Sequence, residues 1–320
     1  MVRDQRYKEL QLTQLRSFCL AATEGNFTSA ARTLGLSAST VWQQVRALER
    51  RLGARLLRRH GRAVELTDDG RALLEIVQPH VAGLDSLDKL FESRRGDLPQ
   101  ELTIASGAYL FAHHLTQPIQ QFRALRPAIR LHLRVAAWAA LNRLLERGEV
   151  DVAVMACDPH LPRSPDLEYE HLFDEQLTLL APAGHPLTKG KRVKPQDLVK
   201  HPLILPPKGG ADRTAIDRYF RSHNLADQVQ VPLVCGLVDV VAVYVTLGLG
   251  VALMYVTDEL TQTAPRLQLR VLDAEIGRLP IELAVRKGAH LPDHVQEFRR
   301  IIVQSLSPQD EPPAKRTARG

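Results

Sequence analysis

Cysteine is scarce: the chain's 320 residues include only Cys19, Cys157 and Cys235, odd in number and far apart. That excludes a disulfide framework and reads as reduced, mostly buried thiols, so a cytoplasmic compartment is expected. Long apolar runs are missing too. No stretch reaches the roughly 18 residues that cross a bilayer, and the polar, charged N-terminus lacks an apolar signal core, so no membrane partner is expected. Clustered metal ligands are absent as well. His113 and His114 are adjacent and face different sides of a helix, and no Cys/His group has ligand spacing. Neither metal nor cofactor is expected. Ser106 with His113 or His114, or Cys157 with His160, would pair a nucleophile with a base. Neither pair has a nucleophile elbow or a third, orienting group, so the chain reads as no enzyme.

What is present is an ordinary globular composition, 44% hydrophobic and 24% charged, in a length that calls for two or three compact units. The charge is unevenly spread. Residues 1–66 hold 12 Lys and Arg against 5 Asp and Glu, a balance of +7, whereas residues 67–320 hold 30 against 31. A positive field confined to one segment suits a phosphate backbone, although a solvated basic face is the plainer alternative.

That segment also carries a groove-reading pattern. Residues 1–10 read as polar and frayed. A first helix is predicted from about Thr13 to Thr23, with Leu12, Leu15, Phe18, Cys19 and Ala22 as its core stripe, ending at Glu24-Gly25-Asn26. Thr28 is the predicted N-cap of a second helix whose Ala30, Ala31 and Leu34 permit close packing. Gly35 makes the turn, and Ser37 or Ser39 caps a third helix reaching about Leu52. With Val41, Val45, Leu48 and Leu52 inward, Ser39, Thr40, Trp42, Gln43 and Arg46 lie outward. Gln43 suits bidentate pairing with adenine, and Arg46 suits guanine or phosphate. Ser37, Ser39 and Thr40 suit phosphate or base edges, and Arg50, Arg51 and Arg55 suit phosphate. Arg58, Arg59 and Arg62, around His60-Gly61, are expected to form a wing beside the minor groove. The partner implied is double-stranded operator DNA.

From Asp68 to about Arg94 a longer helix is predicted, capped by Thr67 or Asp68. Leu73, Val77, Val81, Leu84, Leu87 and Phe91 recur along it at three- and four-residue steps. Such a stripe calls for pairing with a second copy, the alternative being packing on its own domain. Arg95-Gly96-Asp97-Leu98-Pro99 reads as a hinge. Strands are predicted at Leu102–Ser106, Ile129–Val135, Asp151–Met155, Gln176–Ala181, Leu203–Leu205, Gln230–Cys235, Val251–Met254 and Pro280–Val285. Helices are predicted at Leu110–Arg126, Ala139–Arg147, Thr214–His223 and Leu237–Leu247. The alternation implies parallel sheets covered by helices in two lobes, with a ligand between them.

The N-terminal segment resembles the winged helix-turn-helix of LysR-type transcriptional regulators. The resemblance rests on Phe27 to Leu34, Ser37, Arg46-Ala47-Leu48-Glu49, Leu52-Gly53, Leu56-Leu57-Arg58, and Leu66-Thr67 with Gly70. It continues through Leu102–Ser106, Phe122 with Pro127, Leu144 to Val154, His185-Pro186-Leu187 and Gly248 to Val251. It implies an α/β protein overall: a winged helix-turn-helix over 1–67, a dimerisation and linker helix with hinge over 68–98, a bilobed α/β effector domain similar to periplasmic binding proteins over 99–306, and a disordered tail over 307–320. A dimer and then a tetramer, contact with RNA polymerase, and a small-molecule effector are implied with it.

Two departures from the family pattern stand out. Ala38 replaces a frequent glutamine and Trp42 a usual serine. Trp42 is expected to touch a thymine methyl or a sugar, or else to fold back against the first helix. For the effector, Ser106, Gly107 and Tyr109 between a strand and a helix start aim backbone N–H groups into the crevice. Gly210 belongs to the matching loop, where Lys208 or Arg213 complements an anionic group, unless Gly209-Gly210 is simply a flexible turn. Ala137, Trp138, Met155 and Ala156 complete the walls. The stretch from Asp239 to Val251 resembles the branch containing the sulfur-assimilation regulators. The loss of loop hydroxyls argues for a larger, partly apolar effector with an anionic group rather than sulfate.

Overall fold

The computed structural model describes residues 10–61, 63–87, 90, 91, 95, 101–190, 192–257, 260, 266–272 and 278–307. Residues 1–9 of the start expected to be frayed, the Gly96–Pro99 part of the predicted hinge, Arg62 and the tail beyond residue 307 lie outside them. The chain divides into two compact units. One holds residues up to Arg95 with Lys287–His290, and the other holds the rest.

In the first unit, α1 (Leu12–Glu24), α2 (Phe27–Leu34) and α3 (Ala38–Leu52) enclose Phe18, Ala21, Ala30, Val41, Val45 and Leu48. The small Ala30 and Ala31 bring α2 close to its neighbours. α2 starts earlier than its predicted cap: Asn26, not Thr28, is the N-cap, its side chain accepting from the Ser29 N–H at 2.7 Å. Thr28 is instead an exposed residue of the first turn. At α3 the cap is Ser37, whose hydroxyl accepts from the Thr40 N–H at 3.1 Å. A two-stranded ribbon follows, β1 (Leu57–His60) antiparallel to β2 (Ala63–Leu66). It is pinned to the α1–α2 turn by Val64 N–H to the Gly25 carbonyl at 2.7 Å.

α4 (Asp68–Asp85) is capped by Thr67, whose hydroxyl accepts from the Gly70 N–H and donates to the Arg55 carbonyl. Its interior includes Pro79. The helix ladder is interrupted by a turn at Ser86, whose hydroxyl donates to the Gly83 carbonyl. It resumes beyond: the Leu90 N–H donates to the Ser86 carbonyl at 3.0 Å, and Leu87, Leu90, Phe91 and Arg95 are helical. Residues 88, 89 and 92–94 lie outside the described set.

The second unit departs from the expected parallel sheets. Its strand order is β4-β3-β5-β11-β6-β9-β7-β8, with β10 also paired to β6. β3 (Glu101–Ser106), β4 (Arg130–Val135) and β5 (Val152–Ala156) form one parallel patch. β7 (Leu203–Leu205), β8 (Leu233–Val234) and β9 (Val251–Tyr255) form another. Antiparallel strands join them. β6 runs 16 residues, Leu167–Pro182, where only Gln176–Ala181 is predicted. Its first half pairs with β11 (Arg278–Arg286), and its second half pairs with β9 and with β10 (Leu267–Val271).

Helices cover both lobes: α5 (Ala108–His113), α6 (Thr116–Leu125), α7 (Trp138–Glu146), α8 (Pro186–Lys189), α9 (Pro195–Leu198), α10 (Ala211–Ser222), α11 (Val238–Thr246) and α12 (Asp293–Leu306). The single helix predicted over Leu110–Arg126 is broken at His114-Leu115. α12, absent from the expected elements, buries Val295, Phe298 and Ile302 against Phe122 and the β3–β5 patch.

Candidate nucleic-acid interface and ligand cleft

The outer side of α3 is polar with one large aromatic. Trp42 is 41% exposed, with the Arg46 guanidinium carbon 5.3 Å from its ring centroid. The indole therefore faces outward rather than folding back on α1. Gln43, Ser39 and Arg50 are exposed beside it, and Ser37 joins the Ser39 and Thr40 hydroxyls at 2.7 and 2.8 Å. Arg46 is drawn down as well as outward: it donates to Glu49 at 2.7 Å. Arg58 stands exposed on β1, and the predicted Arg62 contact lies outside the described residues.

Glu49, which chemistry-based reading of the sequence missed, is buried and accepts from the Leu56 and Leu57 backbone N–H groups at 2.9 and 3.2 Å. It locks the end of α3 to the start of the ribbon.

In the second unit a cavity of about 580 Å³ opens between the lobes. Four loops entering helices wall it: Gly107–Leu110, Val135–Trp138, Pro207–Asp212 and Gly236–Val238. Leu141, Met155, Ala156, Glu175, Met254, Tyr255, Leu279 and Ile281 complete it. Of the predicted effector residues, Gly107, Tyr109, Ala137, Trp138, Ala156, Lys208 and Gly210 line it. Tyr109 also ties the lobes, its hydroxyl accepting from the Thr257 N–H at 2.9 Å.

Two expectations are corrected. Ser106 is fully buried and donates to the Val154 carbonyl at 2.7 Å, so its hydroxyl serves the sheet and not the cleft. Arg213 is also buried away from the lining. Its guanidinium donates to Asp217 and to the Pro206 carbonyl, both at 2.8 Å, fastening the loop before α10. Lys208 is thus the lining cation.

Sequence reading also missed two acids of the lining. Glu175 is 4% exposed and sits where β6 passes from one lobe to the other, opposite Leu279. Burial pushes its carboxyl above the usual range, and the charge of Asp212 adds to that against the opposing pull of His114. Asp212 is raised too, chiefly by burial, although it accepts from the Arg213 backbone N–H at 2.7 Å. The available signal was positional: an acid in the first turn after Gly209-Gly210, and an ionisable residue inside a strand run.

A winged helix-turn-helix with a polar outer face on α3 thus precedes a two-lobed α/β unit that holds a cleft. Residues 12–71 match the bacterial regulatory helix-turn-helix protein, lysR family, and residues 95–307 match the LysR substrate binding domain. The chain belongs to the LysR family. The HTH-type transcriptional regulator cbl of Escherichia coli (strain K12) is 30% identical over 91% of this chain and 91% of its own. The HTH-type transcriptional activator CmpR of Synechocystis is 29% identical over 78% and 80%. Two solved structures share the fold. Full-length BenM covers 92% of this chain and 96% of its own at TM-score 0.54 and 24% identity. Full-length CbnR complexed with its target DNA covers 93% and 100% at TM-score 0.53 and 23% identity. This LysR-family protein is a DNA-binding transcriptional regulator with an effector-binding domain, and its families and curated relatives are regulators rather than enzymes. No helix among the described residues is long and apolar enough to cross a membrane.

Proposed function

We propose that this regulator reads its operator as a dimer, with α3 in the major groove and the β1–β2 wing beside the minor groove, under control of a small molecule held between the two lobes. The observation that carries the reading is the outward face of α3. There Trp42 and Gln43 stand exposed next to Arg46, while the opposite face of the same helix is buried. Thr28, Ser37, Ser39, Thr40, Arg50, Arg58 and Arg62 would hold phosphates around it.

Pairing through α4 and the residues after it is supported by an exposed apolar row, Ile76, Leu84, Leu87 and Phe91, with Ile76 64% exposed. Tetramer formation, contact with RNA polymerase and a cytoplasmic location extend this reading from the family. Ligand binding would favour one arrangement of the lobes in proportion to its differential affinity for the two states. A negatively charged group on the effector would meet Lys208.

Selection of operator sequences from a random pool, with footprinting, tests the face. Trp42→Ser is expected to change the base preferred beneath that position. Unchanged affinity and preference would remove Trp42 from the interface. Leu84→Glu is expected to shift the sedimenting species toward monomer, and an unshifted dimer would place pairing elsewhere.

A further inference from the structure

The outer face of α3 carries side chains that lean on one another in series. Helical side chains tilt toward the N-terminus, so each reaches back over the residue three or four positions earlier. Arg46 lies four positions after Trp42 and stands over its indole, the guanidinium carbon 5.3 Å from the ring centroid. Glu49 lies three positions after Arg46, and its Oε2 accepts from the Arg46 guanidinium at 2.7 Å. Its Oε1 accepts from the Leu56 and Leu57 N–H groups at 2.9 and 3.2 Å, so Glu49 cannot shift without releasing the start of the wing.

This arrangement occupies Arg46. Its side chain is 31% exposed, whereas Arg55, 4.0 Å from the same Glu49 oxygen, is 70% exposed. Charge-assisted pairing with a buried carboxylate offsets the cation that a phosphate would otherwise meet, and the negative face of the ring attracts what remains of it. The indole is held in turn. An exposed aromatic side chain loses rotamer freedom when it enters a groove, and one already fixed by a neighbour loses less of it on binding.

We infer that Arg46 is a positioning residue for Trp42 rather than a contact to guanine or phosphate. Clamped between the Glu49 carboxylate and the indole, it fixes the pose in which Trp42 meets the DNA and so sets the base preference beneath it. This rests on the proposed reading of the operator by the outer face of α3. It also ties that preference to the wing, because one carboxylate holds both Arg46 and the backbone at Leu56-Leu57. The exposed Arg50, Arg55 and Arg58 are left to the phosphates.

The test is binding of the full chain to the duplex that the parent selects from a random pool, and to versions of it altered at the position where Trp42→Ser changes the selected base. Arg46→Ala is expected to lower discrimination at that position about two- to fivefold, the scale of an exposed cation–π contact. It is expected to leave the salt dependence of binding unchanged and to add nothing further in a Trp42→Ser background. Thermal unfolding shows whether the variants fold, and Arg46→Met, which keeps the stem without the charge, carries the same expectations where the alanine variant does not. A salt slope smaller by about 0.9 makes Arg46 a phosphate contact and overturns the inference. Preference lost at another position, or an equal loss in the Trp42→Ser background, makes Arg46 a reader of bases on its own account and overturns it too. So does an Arg46→Ala preference unchanged at every position. If Trp42→Ser alone changes no position, the reading of the face fails and the inference falls with it.

Discussion

Glu49 sits in the last turn of α3 and takes hydrogen bonds from two backbone N–H groups of the segment leading into the wing. Glu49→Ala leaves both buried donors unpaired, each worth about 1–3 kcal/mol. We expect a corresponding fall in urea stability, read from Trp42 fluorescence in a Trp138→Phe background, and faster amide exchange at Leu56 and Leu57. Unchanged exchange there would show that the wing does not depend on this carboxylate. Glu175 predicts the opposite direction. Its carboxyl is raised in the folded protein, chiefly by burial, so the unfolded chain ionises first. Stability is then unaffected below about pH 4.3, the unfolded-state value, and is lost as pH rises from there toward the folded-state value. Glu175→Gln is expected to melt higher than the parent at pH 7 and at nearly the same temperature at pH 4. A lower melting temperature at pH 7 would mean that the charge is already satisfied.

At the scale of the elements, the motif ending in Gly70 has a steric cause. A Cβ at Gly70 would collide with the Leu56 carbonyl, because the first turn of α4 lies directly on the loop before the wing. Thr67 caps the same turn and bonds back to that loop. Gly70→Ala is expected to cost about 1–3 kcal/mol, the scale of overpacking, and to weaken DNA binding by loosening the wing. A gel shift together with thermal unfolding checks both effects, and unaltered stability would mean the loop yields freely.

α1 to α3 were legible in the sequence because local rules decide them: amphipathic stripes, a serine cap and glycine turns. The charged first half of β6 was not. Glu168, Glu170, His171 and Asp174 have the composition of a loop, yet they continue a strand because β11 pairs along it and Arg299 meets Glu170 at 2.8 Å.

At the scale of the effector-binding unit, two ties cross between its lobes. Tyr109 reaches Thr257, and Arg218 on α10 donates to Asp158 after β5 at 2.8 Å. Burial works against the charge of Asp158, but the Arg218 guanidinium and the His160 N–H outweigh it and hold the carboxyl below its usual range. Its contribution is present above about pH 3.9, the unfolded-state value, and is lost as pH falls through the lower folded-state value. Asp158→Asn is expected to lower the melting temperature by about 2–4 °C, the shift of a contact worth about 1 kcal/mol in a domain of this size. It is also expected to speed amide exchange in α10. Unchanged exchange would show that the pair is not a tie between the lobes.

The helix-turn-helix, its basic field and the alternation of strands and helices were determined by the sequence alone, since each follows from spacing along a few turns of chain. The predicted linker stripe, by contrast, is split by the fold, which buries Val77 and Val81 in the helix-turn-helix core and leaves Ile76, Leu84, Leu87 and Phe91 exposed. Which loops meet was decided only by the tertiary structure. Ser106 and Arg213 have the right chemistry for a cleft, but the sheet and the loop before α10 claim their hydrogen bonds first. Glu175 and Asp212 lie 37 positions apart in the chain. The crossing of β6 and the start of α10 bring both to one cavity, a proximity that pairing distant strands creates and no local pattern encodes.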